Sequence, residues 1–233
     1  MEPAIEIARA TFVLVPGAGG VPWYWHRVVP LLEDAEHEAI AVDLPGDDAQ
    51  AGLSVYAERV LEAIGTREVI LVVQSLGGFT APLVCARAPV RMLVFVNAMI
   101  PMPGESAGEW WANTGWEEAR VAAAQCGGYS SDFDLATYFL HDVPPEIIRQ
   151  GEGQGRSEAE AAFGEPCRFE TWPPSPIRVI GGRGDRFFPV EFQRRVAHER
   201  LQVSLDELPG GHLLALANPR GLADQLLEYL REA

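Results

Sequence analysis

The run Leu71-Val72-Val73-Gln74-Ser75-Leu76-Gly77-Gly78 reads as a buried strand that stops at a serine and passes straight into a helix. Uninterrupted aliphatic, β-branched residues suit a strand covered on both faces, as in parallel sheets. The change of direction at Ser75 is sharp, so small residues must follow it. Gly77 lets the helix pass close to the strand. A serine on such a turn has its hydroxyl pushed out at the top of the sheet, where it can serve as a nucleophile. Val73 departs from the usual pattern, which has glycine two residues before the serine, so local packing there has to differ. The turn by itself also suits a helix that merely packs closely on a strand, and the other loops must decide.

Three further loops bear on the choice. A strand over 11–15 runs into Pro16-Gly17-Ala18-Gly19-Gly20, where glycines let backbone N–H groups face a ligand. Neither G-x-x-x-x-G-K-[ST] nor G-x-G-x-x-G is present, which argues against a phosphate cradle. A nucleophilic serine needs two N–H donors where negative charge develops. Leu76 supplies one, and Ala18 is the best candidate for the other. Ile177-Arg178-Val179-Ile180 is a short strand ending in Gly181-Gly182-Arg183-Gly184-Asp185. Val203-Ser204-Leu205 leads through Leu208-Pro209-Gly210-Gly211 to His212, with room for the ring to reach a serine. The order Ser75, Asp185, His212 is nucleophile, acid, base. Taken singly, Asp185 suits a turn with Gly184 and His212 suits a loop. Asp206 and Glu207 also precede His212 closely enough to compete for the role of acid. His26 reads as a helix-surface or pocket-rim residue, while His37, His141 and His198 have no motif context.

With these four loops in order, the chain resembles the α/β-hydrolase fold over nearly its whole length. Phe12-Val13-Leu14-Val15-Pro16-Gly17-Ala18, Trp23-Tyr24-Trp25 and Ala41-Val42-Asp43-Leu44-Pro45-Gly46 are similar to segments of the esterase and hydroxynitrile lyase branch, plant methyl-ester esterases in particular. The resemblance implies Ser75 as nucleophile, His212 as base, Asp185 as orienting acid, and Ala18 and Leu76 as oxyanion donors. It implies a small-molecule carboxylic ester as substrate, with no cofactor and no metal. Pro16 and Gln74 stand where many members carry histidine. Lyases of the branch carry threonine in the oxyanion turn and lysine after the catalytic histidine. The corresponding residues here are Gly17 and Leu213, so hydrolysis is favoured. The alternatives are a lyase or other cofactor-free reaction on the same scaffold, or a ligand-binding protein without turnover.

Strands over about 11–15, 38–43, 69–73 and 91–96 alternate with helices over about 23–33, from Ser54 to 65, and from the elbow to 87. Such alternation predicts a mostly parallel sheet of about six strands with helices on both faces. Ser54 is a candidate N-cap, and Pro82 should kink the helix containing it. From about 98 to 176 the pattern breaks into a Gly-, Pro- and Trp-rich stretch with a helix over about 117–125. In the fold implied, such an insertion caps the active site. One domain over 1–233 with this cap is the simplest organisation. Gly17, Trp23, Met99, Trp110 and Trp111 are candidates for the substrate pocket, with Met99 and Met102 expected to line its floor. For each tryptophan, core packing is an equal expectation. A strand over 177–181, a helix over 190–199, a strand over 202–206 and a helix from Asn218 close the chain. Asn218 and Pro219 suit its N-cap and first position, with Leu222, Leu226, Leu227 and Leu230 facing the sheet.

Net charge of −15 over 233 residues repels phosphate backbones and anionic membrane faces, so nucleic acid and membranes are not expected partners. A homodimer is left open. Cys85, Cys126 and Cys167 form no C-x-x-C, which suits a reducing, cytoplasmic setting, with Cys85 as a small core hydrophobe. Residues 1–6 lack the basic and apolar parts of a signal peptide.

Overall fold

The computed structural model describes residues 9–232, and the reading of residues 1–6 falls outside them. Six strands form one sheet: β1 (Thr11–Val15), β2 (Glu38–Ala41), β3 (Val69–Gln74), β4 (Val90–Val96), β5 (Ile177–Gly182) and β6 (Leu205–Leu208). Their spatial order is β2-β1-β3-β4-β5-β6, and every pairing is parallel. All residues of β3 are buried, as its uninterrupted apolar sequence requires.

Alternate residues divide between two cores, because successive side chains of a strand point to opposite faces. Val13, Val15, Leu71, Val73, Leu93 and Phe95 face one core. Phe12, Leu14, Ile70, Val72, Met92 and Val94 face the other. The first core is covered by α2 (Leu53–Ile64), α3 (Ala81–Cys85) and α8 (Val190–Leu201). The second is covered by α1 (Val29–Asp34), α9 (Leu214–Ala217) and α10 (Pro219–Glu232). Leu222, Leu226 and Leu230 are buried there, and Leu227 is half-buried against them. Asn218 Oδ1 accepts from the Gly221 N–H at 3.1 Å, capping α10.

Proline reshapes two of the expected helices. After Ser75 the chain makes a 3₁₀ turn, Ser75–Phe79, and α3 starts only at Ala81, with Pro82 in its first turn. A continuous α-helix would need the N–H that Pro82 lacks. Likewise 23–33 divides into a 3₁₀ turn, Pro22–Trp25, and α1, which has Pro30 as its second residue. Two expectations are displaced. Helix α2 is preceded by Gly52 as its N-cap, and Ser54 instead donates to Glu165 from its hydroxyl and its backbone N–H. Strand β6 begins at Leu205 because α8 continues to Leu201 and ends on Gln202 in the left-handed region.

Between β4 and β5 the chain leaves the sheet and forms α4 (Ala107–Thr114), α5 (Trp116–Gly127), a single π-turn (Ala136–Leu140), α6 (Pro145–Gly151) and α7 (Glu160–Gly164). Part of this excursion is core. Ala107, Trp110, Ala162 and Cys167 are fully buried with the first cluster. All three cysteines are free, and burial pushes the Cys85 and Cys167 thiols up to about 12. No helix among the described residues is long and apolar enough to cross a membrane.

Candidate active site

The carboxyl ends of β1, β3, β4, β5 and β6 converge on one edge of the sheet, where open α/β sheets hold their ligands. Ser75 sits there with φ of +49°, in a region that a side chain occupies only when its surroundings enforce it. The enforcing contacts are close. A Cβ on Gly77 would lie 2.6 Å from Pro16 O, and one on Gly78 only 1.8 Å from Met99 O. Neither glycine can be replaced without moving backbone. Gly78→Ala is therefore expected to destabilise the fold by at least the about 3 kcal/mol at the upper end of overpacking costs. Its urea midpoint against wild type is the check. Val73 is fully buried among the first core's side chains, which accommodate its methyls.

The structure brings the three distant loop residues together. His212 Nε2 lies 3.2 Å from Ser75 Oγ, and His212 Nδ1 lies 2.9 Å from Asp185 Oδ2. The imidazole and the Asp185 carboxylate are both inaccessible to solvent. Asp185 Oδ1 accepts backbone N–H bonds from Phe187 at 2.9 Å and Phe188 at 2.8 Å. Gln193 Nε2 reaches Oδ2 at 3.3 Å while also donating to Phe188 O. A carboxylate so held stays in place for Nδ1 and leaves Nε2 free to accept a proton from Ser75. The competing acids are engaged elsewhere: Asp206 accepts from Tyr229, and Glu207 pairs with Arg194 and Arg183.

Several side chains at this site are not evident from the sequence. Phe139, Phe187 and Phe188 stand edge-on to the His212 ring, with centroids 4.8, 5.0 and 4.9 Å away. Gln74 Nε2 lies 3.4 Å from His212 Nε2. Asp142, from the excursion, accepts the Gly211 N–H next to His212. His141 packs beside it, against the Gly211 and Gly184 positions. Asn97, fully buried at the end of β4 with φ of +44°, donates to the carbonyls of Gly211 and His212 at 2.9 and 3.0 Å. Its Oδ1 accepts from Gly182 N–H at 2.7 Å, tying the His212 loop to β5. Its only forewarning is a polar residue at the end of an apolar run. Asn97→Ala leaves three buried backbone groups without this partner, at about 1–3 kcal/mol for each unsatisfied group. A loss of at least about 3 kcal/mol on chemical denaturation, accompanied by lower kcat, is the expected result.

The oxyanion candidates flank the serine. Leu76 follows Ser75 in the 3₁₀ turn, so its N–H precedes the turn's own hydrogen bonds. Ala18 N–H has no acceptor among the described residues, and both residues line the pocket. The loop is held from behind by the excursion. Glu158 accepts from Gly19 N–H at 2.5 Å and from Tyr56 Oη at 2.5 Å, and burial holds its carboxyl above the usual range. A Cβ on Gly17 would lie 2.4 Å from Gln74 Oε1 and 2.7 Å from Ser75 Cβ.

A cavity of about 610 Å³ opens over Ser75 and His212. Its walls are largely aliphatic and aromatic, and nearly half of the lining comes from residues 111–163. Burial also keeps the Tyr24 phenol on its wall strongly in the neutral form. Gly17, Trp23, Met99 and Trp111 line the cavity; Trp110 does not. Trp110 is fully buried, with Nε1 donating to Ile100 O at 3.1 Å, and packs between Phe188 and Phe192 as core. Met102 is also outside the pocket and exposed. His26 stacks on Trp23 and donates from Nδ1 to the Trp23 carbonyl at 2.7 Å rather than reaching the cavity. Among the described residues no three His, Cys, Asp or Glu side chains converge as metal donors.

The profile of the family described as "Alpha/beta hydrolase family" matches residues 12–225. Methylesterase 3 of Arabidopsis thaliana is 30% identical over 263 residues, covering 96% of this chain and 97% of that protein. Norfluorocurarine synthase 1 of a Strychnos species is 32% identical over 114 residues, and that match spans only 43% of either chain. Among solved structures, polyneuridine aldehyde esterase superposes with a TM-score of 0.78 at 22% identity, covering 95% of this chain and 99% of its own. At that identity the likeness is one of fold.

Proposed function

This chain belongs to the alpha/beta hydrolase family, and we propose that within it the protein is a serine carboxylesterase acting through an acyl-enzyme on Ser75. The observation that carries the reading is the continuous Ser75–His212–Asp185 hydrogen-bond chain at the floor of an apolar cavity. His212 Nε2 takes the Ser75 proton as Oγ attacks the ester carbonyl. Asp185 keeps the other ring nitrogen protonated and stabilises the imidazolium. The N–H groups of Ala18 and Leu76 receive the oxyanion, and His212 returns its proton to the leaving alcohol. Water then attacks the acyl-enzyme with His212 again as base. No step calls for a metal or cofactor. The excursion over 98–176 acts as a cap whose side chains shape the pocket.

A largely apolar lining favours a neutral ester whose acid and alcohol parts are both hydrophobic. A cyanohydrin lyase is disfavoured by the same site. Leu213 offers no charge for a departing cyanide, and any side chain at Gly17 collides with Gln74 and Ser75.

Reaction with an alkyl fluorophosphonate, followed by intact mass and peptide mapping, tests the nucleophile. A single adduct on Ser75 together with turnover of p-nitrophenyl esters is expected. Absence of both would leave a binding role.

A further inference from the structure

Large hydrophobic side chains left in water are uncommon enough to need a reason when they cluster. Among the described residues four are exposed, and two of them lie two residues apart, Leu135 in the cavity wall and Phe133 beside wall residues Phe139 and Phe187. Phe133 is 53% exposed and Leu135 62%. They are not on a loose loop. Arg120 donates to Ser131 O at 2.6 Å, Tyr138 Oη donates to Ser130 O at 2.8 Å, and Asp134 accepts the Thr137 N–H at 2.7 Å. The backbone on both sides is therefore fixed, and the two side chains are presented outward on a tethered turn.

That surface is continuous with the reacting centre. Leu135 is itself part of the cavity wall. The Phe133 ring lies 5.9 Å from both Phe139 and Phe187, which line the cavity and pack against the His212 ring. In the proposed reaction the leaving oxygen receives its proton from His212 Nε2. The alcohol arm therefore starts beside the imidazole, at the inner end of this aromatic path.

We propose that Phe133 and Leu135 form an outer subsite that holds the far end of the alcohol arm of an extended, uncharged, hydrophobic ester. The inference rests on the esterase reading above and adds which arm is long and where it runs. Asp132 and Asp134 flank the subsite, and with a net charge of −15 they disfavour an anionic arm or an anionic membrane as its occupant.

The test is a series of alkyl butyrates, methyl to hexyl, followed by titration of the released acid, with wild type and a Phe133→Ser/Leu135→Ser double variant. A methylene fully withdrawn from water is worth roughly fourfold in binding, so one half-covered on an open lip is worth about twofold. With the outer two or three methylenes of the hexyl arm on the lip, the hexyl-to-methyl ratio of kcat/KM is expected to fall roughly fourfold to eightfold in the variant. The acyl-length profile of the p-nitrophenyl series, whose leaving group is constant, is expected to keep its shape. An unchanged hexyl-to-methyl ratio overturns the subsite. So does a loss that tracks acyl length, which would assign the lip to the other arm. A wild-type dimer that the variant splits, seen by sedimentation, would make a second copy the occupant and also overturn it. Turnover with an unchanged ratio removes this inference alone. No turnover and no Ser75 adduct removes the esterase reading with it.

Discussion

Ser75→Ala is expected to lower kcat for ester hydrolysis by about 10⁶-fold, the scale on which losing the nucleophile of such a chain of groups acts. The substitution removes one oxygen and little else. Ser75 is buried at the cavity floor, and its φ of +49° is imposed by the close backbone contacts at Gly77 and Gly78 and not by its hydroxyl. The fold should therefore persist, and the thermal midpoint should stay close to wild type. His212, Ala18 and Leu76 remain in place, so a weak residual rate through directly activated water is the ceiling. The measurement is p-nitrophenyl butyrate turnover with both proteins, with fluorophosphonate titration to exclude wild-type carry-over. A variant within tenfold of wild type would mean that the chemistry does not pass through Ser75.

Asp185→Asn is the second large effect, expected at about 10⁴-fold in kcat. The direction follows from how the carboxylate is held. Oδ1 accepts two backbone N–H bonds, from Phe187 and Phe188, and only an oxygen can do that. The amide nitrogen of the substituted side chain must then take the place of Oδ2, facing His212 Nδ1 and the Gln193 amide. Nδ1 becomes an acceptor, the ring proton moves to Nε2, and Nε2 can no longer take the Ser75 proton. The opposite amide rotamer restores the tautomer only by breaking both backbone bonds. Ring-nitrogen chemical shifts of His212 report the tautomer directly. An unchanged tautomer with full activity would exclude Asp185 as the orienting acid.

The features legible in the chain are those written in adjacent residues. A β-branched run ending in a serine and two glycines dictates the elbow, because the steric demands act between neighbours. The turns at Gly17, Asp185 and His212 each follow a short apolar strand, so their order along the chain already placed them at one edge of a parallel sheet. Pro82 foretold a break, though not that a 3₁₀ turn would precede it, and the division of 23–33 before Pro30 was not foreseen.

What tertiary structure alone decided are contacts between residues far apart in sequence. Trp110 and Trp111 are neighbours with the same side chain, yet one is core and the other lines the cavity. Successive helix positions point about 100° apart, and only the packing of α4 says which faces inward. Asn97, Asp142, Glu158 and Gln193 have no local motif. Each acts by holding a backbone group or side chain many residues away. The sequence by itself determined the architecture and which residues are candidates for the chemistry, because backbone sterics and strand periodicity are local. The depth of the site, its walls and the partners that hold its loops came only from the folded chain, because burial is shared among segments that meet only once folding is complete.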